Sequence, residues 1–508
     1  MFQSCSIKTG NIDSENILEL MGMMGGSMSQ FCITRGLGYG DEGKGSLVDF
    51  LTKNNEENED IENEVIKEGG PQAAHHIVSR QGKLHRSEQI GSGVFNPGVR
   101  TFGSRNMLIN PANLIMENLM LYKAGVYDGM KRLSIDSRCA IVTPLHQMIG
   151  RLLELSRRKN CHGSTGMGVG QAVLDQREKG TKVLCLGDIT DETVLKEKIA
   201  ELFREKFEQA DMLVRNNPNN RKLTNLYRYY RESLSAKLLF NSYHGFWLAY
   251  PSCIENEGEE YLNDLLSDSE RSLVFEGSQG ALLDPEFGFR PYVTKTRTTF
   301  KTALELLAGR VQRSHIKKIG VVRAYSTRHG AGPFVTEDKE LTRMLPDRHN
   351  KTNVWQGKFK IGWFDIVAAR YGILVNEGID SIALTNLDRL SQLNNIRVCT
   401  SYEYCGDDEG ALDNFFEWEH SGSKIRIIGF KKPVLSQHDQ ISNILFDCKP
   451  MGFKKFSGWK KNIGNVKTFE DLPLEAVKYL NFLQSKEGLD ELISIVSVGP
   501  TSDDKILC

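Results

Sequence analysis

The chain has 508 residues, with 64 basic side chains against 65 acidic ones and a formal net charge of −1. That length buries a large core, and the balanced charge argues against a nucleic-acid tail or a polybasic membrane surface. Ten cysteines without CxxC spacing fit reduced thiols in a cytoplasmic protein better than a disulfide framework. No apolar run approaches the ~18 residues needed to span a bilayer, and the acidic N-terminus lacks the apolar segment of a secretory leader.

Residues 1–28 read as an N-terminal extension, expected to be flexible, and 29–508 as a single large domain. Phe31-Cys32-Ile33-Thr34 predicts a strand, and Leu47–Leu51 the start of a helix. Between them lies Gly38-Tyr39-Gly40-Asp41-Glu42-Gly43-Lys44-Gly45-Ser46. Glycines let such a turn aim backbone N–H groups at a phosphate, and the helix N-terminus favours the anion. Gly45 stands where a Walker A loop carries Ser or Thr, and two carboxylates inside a phosphate cradle need a metal or a proton to handle. On the loop alone, a phosphate cradle and a structural glycine turn both remain open.

The Asn-, Glu- and Asp-rich run from Asn54 to Glu64 predicts a solvated acidic insert. Helical patterns over Val194–Arg215 and Leu223–Leu239 predict peripheral helical excursions near 190–265. Short apolar runs ending in polar or glycine-rich turns predict strands at Val183–Leu186, Leu273–Phe275, Ile319–Val322, Ile382–Leu384 and Ile493–Val496. Helical patterns such as Phe364–Tyr371 and Leu474–Leu483 lie between them. The whole predicts an α/β fold with a large, mostly parallel central sheet, whose ligands gather at the carboxyl ends of the strands.

Five stretches carry the chemistry: Gly40–Ser46, Gly69–His76, Gly163–Gly170, Phe275–Asp284 with Pro291–Thr294, and Ala324–Glu337. In this order and spacing, from about Phe31 to the C-terminus, they resemble the adenylosuccinate synthetase family. That family joins IMP to aspartate with GTP and Mg2+. The resemblance implies a P-loop-NTPase-like ligase fold and a homodimer, with no nucleic-acid or membrane partner. It makes Asp41 the base that takes the N1 proton of the purine, and a Mg2+ ligand together with the carbonyl of Ala74. It makes His75 the donor to the transferring phosphoryl group. GTP would be held by Gly40, Asp41, Glu42, Gly43, Lys44, Gly45, Ser46, Ala74, His75 and His76. Its base would be read by Asn386, Leu387 and Asp388 and by Ser497, Val498 and Gly499, with the Asp388 carboxylate accepting from guanine. IMP would meet Asp41, Lys44, Gln72, His75, Thr165, Gln279, Thr294 and Lys358.

Some positions depart from the family pattern. Gln72 replaces an asparagine, Ala74 a glycine, Asn386 a lysine and Met167 an arginine. The loop that clamps aspartate with arginines reads Trp355-Gln356-Gly357-Lys358-Phe359-Lys360. Lysine offers a point charge where arginine offers a planar fork, so Gln356, Lys358 and Lys360 describe a rebuilt amine site. The arginine that crosses the dimer interface matches either Arg177 or Lys179. Three readings follow: the IMP–aspartate ligase, the same activation with another amine or a deoxy- or modified purine nucleotide, and a GTP/IMP-binding sensor.

Overall fold

The computed structural model describes residues 31–53, 62–347, 350, 352–432 and 439–508. The N-terminal extension and most of the acidic insert lie outside the described residues. The central sheet has eleven strands. Ten of them form one path: β1 (Phe31–Gly36), β2 (Glu62–Gly69), β3 (Arg100–Ile109), β4 (Leu133–Asp136), β5 (Ile254–Glu255), β6 (Arg271–Gly280), β7 (Ile316–Arg323), β8 (Ser381–Thr385), β9 (Ile493–Ser497) and β10 (Lys505–Leu507). They lie in the order β10-β9-β8-β7-β1-β6-β2-β3-β4-β5, with Ala140–Ile141 pairing off β3. Every pairing along the path is parallel except β9–β10. Parallel strands must be covered on both faces, which explains why β1 is buried from end to end.

The predicted strands at 31–34, 273–275, 319–322, 382–384 and 493–496 all fall within this sheet. Three expectations change. The acidic run does not remain a loop to its end, because Glu62–Glu64 opens β2 and Glu64 is 1% exposed. Its charge is met there by Arg271 and the Tyr261 hydroxyl. Val183–Leu186 is not a strand; only Cys185 makes a single bridge, to Ala140, and a 3-10 turn follows at Leu186–Thr190. Phe364–Tyr371 divides into a two-residue strand, Phe364–Asp365, and the helix Ile366–Val375, whose first turn Asp365 caps by accepting the Ala368 N–H.

The helical excursion consists of Glu192–Arg215, Arg221–Ser233, Ala236–Ala249 and Gly258–Ser267. The second predicted helix is broken at Leu234–Ser235, where the chain is extended. A second, five-stranded sheet built from residues 364–365, 395–404, 416–421, 424–430 and 448–457 packs on the helix Ile366–Val375 and was not foreseen. Among the described residues, no helix is long and apolar enough to cross a membrane.

Neighbouring residues of a strand face opposite sides of a sheet, and the end of β2 uses this to bury two ion pairs. Glu68 meets Arg35 of β1 on one face, and Lys67 meets Glu276 of β6 on the other. Arg35, 1% exposed, also donates to the carbonyls of Thr34 and Thr299. Glu68→Leu strands this guanidinium, and removing one partner of a buried pair costs about 3–5 kcal/mol. Urea denaturation is expected to show a loss of that size, with partial recovery in Arg35→Met/Glu68→Leu. A loss below about 1 kcal/mol in Glu68→Leu would contradict the pairing.

Candidate active site

The glycine loop leaves β1 and enters the helix Lys44–Leu51 at the carboxyl end of the sheet. Gly40 and Gly43 have φ of 89° and 86°, and Asp41 adopts 62°, a left-handed conformation that side chains other than glycine rarely take. The two acids of the loop have different surroundings. Glu42 is buried, and its Oε1 accepts the N–H groups of Gly38 (3.1 Å) and Gly40 (2.7 Å). Its Oε2 takes the Lys44 ammonium at 2.6 Å. Glu42 therefore braces the loop from inside.

Asp41 is half-buried, and no hydrogen-bond donor among the described residues reaches its carboxylate. Burial raises its pKa above the usual carboxylate range, although the Arg323 guanidinium opposes the shift. Arg323, at the end of β7, also donates to the Asp41 carbonyl.

His75 opens the hairpin His75–Val78/Leu84–Ser87, directly against the first helical turn: a Cβ on Gly45 would lie 2.6 Å from the Cβ of His75. Its Nδ1 meets Oε1 of Glu276. Glu276 is completely buried and receives Lys67 Nζ at 2.9 Å, Ser92 Oγ at 2.5 Å and the Ser92 N–H at 2.9 Å. Burial alone would raise the Glu276 carboxyl; Lys67, His75 and Ser92 outweigh it and hold the group well below the usual range. Burial lowers the His75 pKa against the pull of Glu276. The ring thus gives Nδ1 to an ionised carboxylate, which leaves Nε2 as its other polar atom.

The residues expected on the purine side come from separate segments. A Cβ on Gly70 would touch both Gln72 and Val169, so the Gly69–His76 turn packs on the Gly163–Gly170 turn that holds Thr165. Both amide atoms of Gln72 are buried without a hydrogen-bond partner among the described residues, as a side chain awaiting a ligand would be. Gln279, at φ 58°, backs onto Gly40 and accepts from Thr296, whose hydroxyl also pairs with that of Thr294.

The base loops adjoin the glycine loop. Thr385 Oγ1 donates to the Glu42 carbonyl at 2.6 Å, Asn386 turns the chain at φ 59°, and Leu387 is buried below Asp388. Burial raises the Asp388 pKa. Ser497, Val498 and Gly499 close the end of β9, where Lys505 donates to the carbonyls of Gly499 (3.3 Å) and Thr501 (2.6 Å). Burial lowers Lys505 to about 8. His76 follows in the hairpin, whose Val78 bridges to Thr501, so the hairpin adjoins the loop expected to read the base.

The amine-loop residues are more dispersed. Trp355 packs on Gly166 beneath the Arg151 guanidinium, 5.2 Å from its ring centre, and Arg151 also donates to the Gly166 carbonyl and the Tyr230 hydroxyl. The Gln356 carbonyl presses on Gly163 and Gly330. Lys358 is exposed, whereas Lys360 lies 3.7 Å from Glu337, and burial lowers its pKa. Arg328 of the same region is buried and spent on the carbonyls of Ala331, Pro333 and Tyr292. Met167 packs on the small cluster around Val169 and Val173.

Sequence reading missed Lys67, Arg323 and Lys505, and it quoted Glu276 and Glu337 without a role. The available signal was a charge at the end of an apolar strand, repeated in β2, β6 and β7.

Among the described residues, no group of three or more His, Cys, Asp or Glu could hold a metal ion. A Mg2+ ion fits such a site, because it binds through one or two carboxylates, water and substrate phosphates. The donor-free Asp41 carboxylate suits that role; Glu42 does not, being already paired.

The chain matches the adenylosuccinate synthetase family model over residues 33–506. It is 29% identical over 489 residues to an adenylosuccinate synthetase of Caldicellulosiruptor bescii, covering 94% of this chain and 100% of the relative. It is 30% identical to that of Gloeothece citriformis, covering 94% and 93%. Among solved structures it is similar to the fully ligated adenylosuccinate synthetase of Plasmodium falciparum, with TM-score 0.73, 23% identity, and coverage of 95% and 100%. It is also similar to the succinoaminodeoxyadenylate synthetase of cyanophage S-2L bound to dGMP and dATP, with TM-score 0.52, 16% identity, and coverage of 94% and 95%. With the family model matched over nearly the whole described chain, this protein belongs to the adenylosuccinate synthetase family of GTP-dependent carbon–nitrogen ligases.

Proposed function

We propose that the chain joins IMP to L-aspartate, giving adenylosuccinate, GDP and phosphate through a 6-phosphoryl-IMP intermediate. The observation that carries this is Asp41, a half-buried carboxylate with no donor among the described residues, in a loop whose other acid is already satisfied. A purine 6-oxygen is a poor leaving group, so it must be activated before an amine can displace it. Asp41 takes the N1 proton, the electron pair moves onto the 6-oxygen, and that oxygen attacks the γ-phosphorus as GDP leaves. His75 faces the transferring group with Nε2, while Glu276 stabilises any proton shared across the ring. The amine then attacks C6, and the activated oxygen departs as phosphate.

Lys44 keeps its bond to Glu42 and turns its other N–H donors to phosphate oxygens when the nucleotide is present. Mg2+, held by the Asp41 carboxylate and the Ala74 carbonyl, would screen the phosphate charge. Positioning and electrostatics supply most of the barrier reduction in such transfers. Asp388 reads the guanine N1–H and 2-amino groups, and Gln72, Thr165, Gln279 and Thr294 hold the IMP sugar and phosphate. In the homodimer, Arg177 is better placed to reach the partner, since Lys179 is ion-paired to Glu205 while Arg177 is exposed and held only to the Lys295 carbonyl among the described residues.

A second reading keeps the activation and changes the other substrate. It is favoured by the amine loop, where Trp355 fills space against Gly166 and Lys360 already faces Glu337 at 3.7 Å. The amine is then not aspartate, or the nucleotide is a deoxy- or modified purine such as the dGMP bound by the cyanophage neighbour.

Incubation with GTP, Mg2+ and a panel of 6-oxopurine monophosphates, with and without aspartate and other amino acids, separates the readings by phosphate release and product mass. Adenylosuccinate from IMP and aspartate is the expected product. Turnover with another pair alone supports the second reading, and no phosphate release despite GTP binding would sink both. Asp41→Asn is expected to lower kcat by at least about 10²-fold with an unchanged circular dichroism spectrum. Asp388→Asn should cut the preference for GTP over ATP by about 10²-fold, read as the ratio of kcat/KM values, through the loss of a charged acceptor.

A further inference from the structure

Three chain segments converge on the buried Glu276 carboxylate. His75 comes from the hairpin, Ser92 from the turn after it, and Lys67 from the adjacent strand β2. Lys67 and Glu276 are direct register partners in the parallel β2–β6 ladder, so their side chains leave the same face side by side. The Lys67 ammonium makes a second contact, to Ser87 Oγ at 3.4 Å. Ser87 is the cross-strand partner of His75 in the hairpin. One ammonium therefore bonds both the side-chain partner of His75 and the residue opposite its backbone.

Stability alone is a weak reason for the pair as a whole. Lys67 is 3% exposed and Glu276 fully buried, and replacing a buried ion pair by apolar residues of the same volume is often neutral or stabilising. Val65 two residues before Lys67 and Val274 two residues before Glu276 place apolar side chains next to the pair on this face.

We infer that Lys67 is a positioning residue for phosphoryl transfer: it holds Glu276 and Ser87 in place, and through them fixes the ring plane and Nδ1–H tautomer of His75 so that Nε2 points at the reacting group. This rests on the role given to His75 above. Without the ammonium, Glu276 Oε1 keeps only Ser92 and His75, and the carboxylate can turn away from the ring. Lys67 reaches no nucleotide-binding residue directly in the hydrogen-bond network, so its loss reduces kcat and leaves ground-state binding in place. A one-ångström misplacement of a catalytic group is enough to cost about 10²-fold in rate.

The test is steady-state kinetics of the full-length protein with GTP, IMP and aspartate, or with whichever pair the panel identifies. Lys67→Met is expected to lower kcat by about 10- to 100-fold while the KM values for both nucleotides stay within about threefold. Lys67→Arg, which keeps the charge, should recover at least about tenfold over Lys67→Gln, which keeps only polarity; this pair decides the matter if Lys67→Met does not fold. In a His75→Ala background, Lys67→Met should bring no further loss, because residues acting as one unit are non-additive. Equal activity of Lys67→Arg and Lys67→Gln, or a full additional loss in the His75→Ala background, would overturn the inference and leave the assignment of His75 standing. Wild-type turnover in His75→Ala alone would overturn both.

Discussion

Charge buried at the carboxyl ends of parallel strands is the constraint on which this site depends. A buried carboxylate stays ionised only if donors replace the water it has lost. The protein meets that condition on three neighbouring segments: Glu42 with Lys44 and two loop N–H groups, Glu68 with Arg35, and Glu276 with Lys67, His75 and Ser92. Asp41 is the exception. It is burdened by burial yet lacks a donor among the described residues, which is the condition of a group reserved for a proton or a metal.

The proposed nucleotide-activating half and the proposed amine-selecting half are built differently. The first is assembled from the ends of β1, β2, β6 and β8 and from the turns and hairpin beside them. The second lies on the Asn353–Lys360 turn, anchored by the Trp355–Arg151 contact and by the pressure of the Gln356 carbonyl on two glycines. A turn held by a few side chains accepts new residues more readily than the end of a buried parallel strand. Lysine for arginine and tryptophan for threonine are changes of that kind, and the Lys360–Glu337 pair shows one new local balance.

Much of this architecture was legible in the residues. The glycine loop announced itself because the torsions it needs are open mainly to glycine, and five of the apolar runs gave central strands because parallel strands are apolar on both faces. The failures share that logic. The start of β2 was hidden by Glu62–Glu64, whose charges are acceptable in a strand only because Arg271 and Tyr261 stand opposite. Val183–Leu186 has the apolar character of a strand but no neighbouring edge on which to continue pairing. Glu276 sat inside a quoted motif without a role, because its partners Lys67, His75 and Ser92 lie some 180 to 210 residues away in sequence and only the β2–β6 register brings them together.

The central claim is that the purine 6-oxygen itself is phosphorylated and then leaves with the phosphate. It is tested most directly with IMP carrying heavy oxygen at position 6, incubated with GTP, Mg2+ and aspartate, followed by mass analysis of the released phosphate. One heavy oxygen in each phosphate, matched mole for mole by adenylosuccinate, is the expected result. Unlabelled phosphate released alongside a purine that keeps its heavy oxygen would contradict it.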